Sequence, residues 1–161
     1  MTQRLTSGTE QKGPRMTTTT TVPGTPKLDV GSLENASAFV AAAGLVLDEI
    51  GDDRVTGRIE LGPEHQTPWG IVHGGVYTSA IESAASIGAS AAVAGRGIVA
   101  VGLTNTTHFL RSVSSGKVLV EATAINQGRT QQLWSVDIHD GAGKLLAHGE
   151  VRLQNLKPAA E

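Results

Sequence analysis

A single carboxylate stands in the longest weakly polar stretch of this 161-residue chain. Glu82 lies within residues 75–93, GVYTSAIESAASIGASAAV, where no other side chain is charged. Such a group is either a paired core charge or a reactive one, a general base or a nucleophile. Ser86 follows one helical turn later on the same face, placed to hydrogen-bond the carboxylate or a water. Upstream stands His73-Gly74-Gly75. If the helix begins at the glycines, its first amides have no intrahelical acceptor and sit at the positive end of the helix dipole. The Gly74 amide is then a natural donor to an anion or a developing oxyanion, and the bare backbone of Gly74 and Gly75 permits close approach. His73 offers an imidazole that could act as a base or hold the turn. Glu82 lies eight residues beyond Gly74, about 12 Å along a helix axis. One substrate carbonyl could not easily touch both groups on the same helix. Two antiparallel copies of the helix across a two-fold axis would bring them together, which predicts a site shared between the subunits of a homodimer.

These residues need a helix and something to wrap it. Ala80, Ala84, Ile87 and Ala91 trace one stripe that can press on a sheet, and Ser79, Ser83, Ser86 and Ser90 trace another beside Glu82. Small residues on every side suit a helix enclosed by a strongly curved sheet. Before it, residues 33–43 have helical spacing, with Ser32 as N-cap and Gly44 as C-cap. Residues 45–50 and 54–61 alternate as two strands about Gly51-Asp52-Asp53. After it, residues 98–110, 117–126, 130–139 and 144–154 read as four strands, separated by turn-forming segments such as Asp140-Gly141-Ala142-Gly143. The expected class is α+β, a curved antiparallel sheet around one long helix. Its edge strands invite extension of the sheet between subunits.

The run Trp69-Gly70-Ile71-Val72-His73-Gly74-Gly75-Val76-Tyr77, with an acid nine residues after the histidine, resembles the hotdog-fold acyl-CoA thioesterases. The branch is that of the 4-hydroxybenzoyl-CoA thioesterase with its acid on the central helix and of the phenylacetate-pathway enzymes. The similarity spans about residues 44–153. It implies hydrolysis of an acyl-CoA, with Glu82 as nucleophile or general base, the Gly74 amide as oxyanion donor and His73 shaping the turn. An amide side chain usually stands six residues before the motif histidine. That position is Thr67 here, with Gln66 one residue earlier, so any positioning of water or carbonyl by an amide would fall to Gln66. The resemblance also assigns Arg111 and Arg129-Thr130 to the phosphates of coenzyme A, a task suited to guanidinium groups. The branch often carries a small hydroxyl where Arg129 stands. Homodimers, and pairs of dimers forming homotetramers, are the assemblies it implies. No cofactor is implied, and the acyl group is left open between aryl and fatty.

Other classes fit less well. The chain has no Cys, which removes disulfides and thiolate metal sites and is compatible with a reducing, cytoplasmic setting. A net charge of −2 with scattered basic residues, and only 3% aromatics, gives no nucleic-acid face. No apolar run reads as a membrane span. Gly95-Arg96-Gly97 imitates a dinucleotide fingerprint but follows a helix and precedes a strand. There is no G-x-S-x-G elbow and no HExxH pair. His65, His108, His139 and His148 read as ordinary surface or sheet residues. Hydratases of the same fold place their acid before the histidine, whereas Glu82 follows His73. A binding-only acyl-CoA sensor of this fold would carry an added DNA-binding region, and the polar leader is too short for one. That leader, residues 1–28, is rich in Thr, Gly, Pro and Ser and is expected to be a disordered tail without a secretory signal. Met16 is a possible alternative start. Residues 29–156 form the expected domain, and 157–161 a C-terminal tail.

Overall fold

Small side chains decide the centre of the structure. In the computed structural model, which describes residues 37–157, the long helix α2 runs over Gly74–Ala94. It lies in the concave face of one six-stranded antiparallel sheet. The strands are β1 (Val46–Ile50), β2 (Arg54–Leu61), β3 (Val99–Phe109), β4 (Gly116–Gln127), β5 (Gln131–Asp140) and β6 (Leu145–Leu156), in the order β1-β2-β4-β5-β6-β3. A single 3₁₀ turn, Pro63–His65, follows β2. This is the layout expected of a hotdog fold.

The sheet can close on the helix because the helix has almost no width at the point of contact. Trp134, wholly buried on the central strand β5, lies over Gly88. A Cβ at Gly88 would stand 2.5 Å from the indole, so glycine is the residue that fits. On β6, Gly149 makes the corresponding room for Ile81. The buried face of α2 is broader than the predicted stripe and comprises Tyr77, Ala80, Ile81, Ala84, Ala85, Ile87, Gly88, Ala89 and Val93. Ala91, expected to press on the sheet, is exposed: a sheet that curls around a helix covers more than one stripe of it, and this residue lies on the uncovered side.

Buried Gln132 ties these layers together. Its Nε2 donates to the Ala89 carbonyl of α2 and to Asn155 Oδ1, and its Oε1 accepts from the Trp134 indole N–H. Both ends of the amide are satisfied, as a buried polar side chain requires.

The short helix α1 covers Ala38–Ala43. Its N-cap is Ser37, whose hydroxyl accepts from the Val40 amide, rather than Ser32, and Gly44 closes it in the left-handed region at φ 73°. Ser32 and the rest of the expected first turn lie outside the described residues, as do the leader and residues 158–161. Two features of β3 matter for the site. The β3–β6 register shifts between Gly102 and Thr104, leaving Leu103 as an extra residue, and β3 is an edge strand.

Candidate active site

His73 is the N-cap of α2. Its Nδ1 accepts from the Gly75 amide at 2.9 Å, and its own amide donates to the His65 carbonyl. A Cβ on Gly75 would approach Nδ1 to 2.9 Å, so the bare residue makes this cap possible. The Gly74 amide has no acceptor among the described residues. A cavity of about 560 Å³ opens beside Gly74, walled by Trp69, Ile71, Tyr77, Phe109 and Leu110, with Arg111 at its side. A second, of about 440 Å³, lies across His73 and Gly75 against Phe39, Gln66 and Ser79. Apolar walls converging on an unclaimed amide suit an acyl group whose carbonyl meets a donor.

Glu82 is partly buried on the side of α2 that faces β3. Its Oε2 accepts from Asn105 Nδ2 at 2.9 Å, while its Oε1 has only a long contact, 3.5 Å, from the Ser86 hydroxyl. Asn105 was not legible as a site residue. The available signal is the polar run Thr104-Asn105-Thr106-Thr107 in a strand that passes the helix.

The remaining candidates divide. Gln66 donates through its side-chain amide to the Ser114 carbonyl at 2.8 Å, so its nitrogen is already engaged. The Thr67 hydroxyl donates to the Ile71 carbonyl and holds the loop before the motif. Arg111 donates to the Leu145 carbonyl yet still lines the cavity by Gly74. Arg129 lies at the other end of the sheet, beside a polar cavity of about 240 Å³ shared with Arg96, Gln127 and Gln132. Asn155 fixes that turn by donating to the Gly128 and Arg129 carbonyls, and the Thr130 carbonyl accepts from the Asn155 amide. Within one chain, therefore, Gly74 and Arg111 gather at one end of β3, and Glu82, Arg129 and Thr130 toward the other.

One histidine departs from expectation. His65 is 5% exposed, not a surface residue: its Nδ1 accepts from the Gly62 amide and closes the 3₁₀ turn. The Tyr77 hydroxyl is buried without a partner among the described residues, and burial pushes its phenol up in pKa. Among the described residues no three His, Asp or Glu side chains gather as a metal site, and no helix is long and apolar enough to cross a membrane.

Comparison with known proteins bears directly on this arrangement. Residues 70–147 match the model of the thioesterase superfamily. Rv1847 of Mycobacterium tuberculosis, which carries the name of an esterase, is 43% identical over 121 residues, covering 74% of this chain and 86% of that protein. Its structure superposes with a TM-score of 0.73 over 77% of this chain and 100% of that one. The structure of thioesterase HI1161 from Haemophilus influenzae is 31% identical, with a TM-score of 0.73, over 80% and 88% of the two chains. The 1,4-dihydroxy-2-naphthoyl-CoA hydrolase of Listeria monocytogenes is 37% identical over 89 residues, 55% of this chain and 72% of that enzyme.

Proposed function

The chain belongs to the thioesterase superfamily and is a thioester hydrolase, and from that premise we propose that it cleaves acyl-CoA at a site built from Gly74 of one subunit and Glu82 of another. The observation that carries this reading is the pairing, on one helix, of an unclaimed N-terminal amide with a partly buried carboxylate. The Gly74 N–H polarises the thioester carbonyl and stabilises the oxyanion of the tetrahedral intermediate. The Glu82 carboxylate then acts in one of two ways. As general base it takes a proton from water while the water oxygen attacks the carbonyl carbon. As nucleophile it forms an anhydride that water opens. In both, the C–S bond breaks, the thiolate of coenzyme A leaves and takes up a proton, and the free acid remains.

The strand beside the site supports the sharing. Glu82 packs at Gly102 near the start of β3, and Gly74 against Phe109 at its end. β3 is an edge strand carrying exposed Val101, Leu103 and Phe109, with exposed Leu110 just beyond it. A second copy adding its β3 antiparallel, about a two-fold axis near Asn105, places the Gly102 end of one strand opposite the Phe109 end of the other. That also carries Arg129 and Thr130 of one subunit toward Arg111 of its neighbour, where they hold phosphates of coenzyme A. His73 and Gly75 shape the oxyanion turn, and Ser86 orients Glu82 or its water. Gln66 assists at the carbonyl only if it gives up Ser114. A tetramer made of two such dimers, in the cytoplasm, completes the reading.

The test is thiol release from a panel of phenylacetyl-, hydroxybenzoyl-, 1,4-dihydroxy-2-naphthoyl- and fatty acyl-CoA, for the native chain and Glu82→Ala. The relative from Listeria supports including the naphthoyl thioester. Turnover of at least one thioester, reduced about 100-fold or more in the variant, is expected. Undiminished turnover in the variant would sink the Glu82 mechanism.

A further inference from the structure

Glu82 is held by a device on the neighbouring strand. Side chains alternate along a strand, so residues 102 and 104 would share one face and 105 would point the other way. In β3 the alternation is broken once. Gly102 pairs with Leu153 and Thr104 with Arg152, so Leu103 is an extra residue and the strand is bulged there. The result puts Gly102 and Asn105, three residues apart, on the same inner face, beneath Glu82.

Each then treats one oxygen of the carboxylate. At Gly102 a Cβ would stand 2.3 Å from Glu82 Oε1, so the carboxylate oxygen keeps this position only against a bare residue. At Asn105 the amide nitrogen donates to Glu82 Oε2 at 2.9 Å and to the Thr78 carbonyl at 3.2 Å, while its oxygen accepts from the Thr107 hydroxyl at 2.8 Å. Donors and acceptor are all matched, so the amide has one favoured orientation, with its nitrogen toward Glu82 and the Thr78 carbonyl. An apolar face would be cheaper at these inward positions. Two polar residues in series, aimed at the one carboxylate of the helix, point to a task beyond packing.

We propose that the bulged segment Gly102–Asn105, braced by Thr107, is the positioning element of the reaction: Asn105 anchors Oε2 of Glu82, so that Oε1, lodged over Gly102, is the oxygen presented to water or to the acyl carbon. Asn105 is a positioning residue, acting through Glu82, and the inference rests on Glu82 being the reactive group. A donated hydrogen bond also favours the ionised carboxylate that either chemistry needs, and the anchored geometry spares the reaction a rotamer search.

The experiment measures kcat and KM separately, on the best acyl-CoA of the panel, for Asn105→Ala, Asn105→Asp, Thr107→Val and, in the same assay, Glu82→Ala. A thermal melt of each variant is recorded alongside. The expected result for Asn105→Ala is a fall in kcat of about 10- to 100-fold with KM within about twofold. Asn105→Asp keeps the shape but sets a second carboxylate against the first, and is expected to lose at least as much. Thr107→Val frees the amide without removing it and should lower kcat about three- to tenfold, again without raising KM. This variant keeps the idea exposed to failure if Asn105→Ala does not fold. Native kcat in well-folded Asn105→Ala or Thr107→Val, with Glu82→Ala inactive, overturns the positioning role and leaves the proposed site intact. A loss seen only in KM or only in melting temperature overturns it equally. Full activity in Glu82→Ala removes the site reading, and the inference with it.

Discussion

Two adjacent glycines at the start of the central helix have different duties. The Gly75 amide is bound to His73 Nδ1, whereas the Gly74 amide has no acceptor among the described residues. Proline at Gly74 isolates that amide. The position is the first of the helix, where proline is well tolerated and removes only an N–H without a helical partner. His73, at φ −68° and ψ 130°, already has the extended conformation that a following proline demands. Any Cβ there meets Phe109, at 2.8 Å from its Cζ, so Gly74→Ala serves as the steric control that keeps the N–H. If the Gly74 amide stabilises the oxyanion, kcat of Gly74→Pro should fall about 100-fold or more below that of Gly74→Ala. Equal rates for the two variants would show that the amide takes no part.

At the scale of elements, the sequence was most legible where local chemistry is strong. Glycine-rich turns and helical spacing place α2 and all six strands within about two residues of where they lie, the usual uncertainty of such boundaries. Glu82 stood out because nothing charged surrounds it. What local chemistry does not carry is register. The extra Leu103 turns Asn105 inward against the alternation of its strand, so no reading of period two could have put it under Glu82. Burial of His65 was missed for a similar reason: its Nδ1 closes a 3₁₀ turn that holds no hydrophobic pattern.

The β5–β6 hairpin offers an element-level test. Asp140 accepts from the amides of Lys144 and Ala142. The Lys144 hydrogen bond is the main cause that holds the carboxyl below its ordinary pKa; desolvation opposes it, and the Ala142 hydrogen bond adds to it. A pKa depressed on folding contributes stability that is fully present above the unfolded-state value, about 3.9, and is lost as pH falls through the folded value. Asp140→Ala should therefore melt below the native chain at neutral pH, and the gap should narrow as the pH is lowered beneath about 4. A gap independent of pH would assign the turn's stability to something other than the charged carboxylate.

On the scale of the whole molecule, the question is whether one subunit suffices. Gly74 with Arg111, and Glu82 with Arg129, lie toward opposite ends of β3. The proposed two-fold joins them only across a subunit boundary. Mixing subunits separates the alternatives. Gly74→Pro and Glu82→Ala homo-oligomers should each be nearly inactive. A hybrid of the two contains one site with both defects and one with neither, so hybrids are expected to regain up to about half the native rate. Hybrids with no more activity than their parents, formed under conditions where exchange is demonstrated by mass, would place Gly74 and Glu82 in the same subunit's site.

The two tryptophans of the chain occupy opposite extremes of environment. Trp134 is 0% exposed at the seam between helix and sheet, and Trp69 is 83% exposed at the lip of the cavity beside Gly74. The protein thus carries two optical channels without a label. Emission from Trp134 is shifted to the blue and shielded from iodide until the seam opens, so it follows global unfolding. Emission from Trp69 is quenchable from the start and stands within reach of whatever enters the cavity, so it follows occupancy. A single titration, read at the two ends of the emission band, distinguishes a ligand that fills the site from one that unfolds the chain.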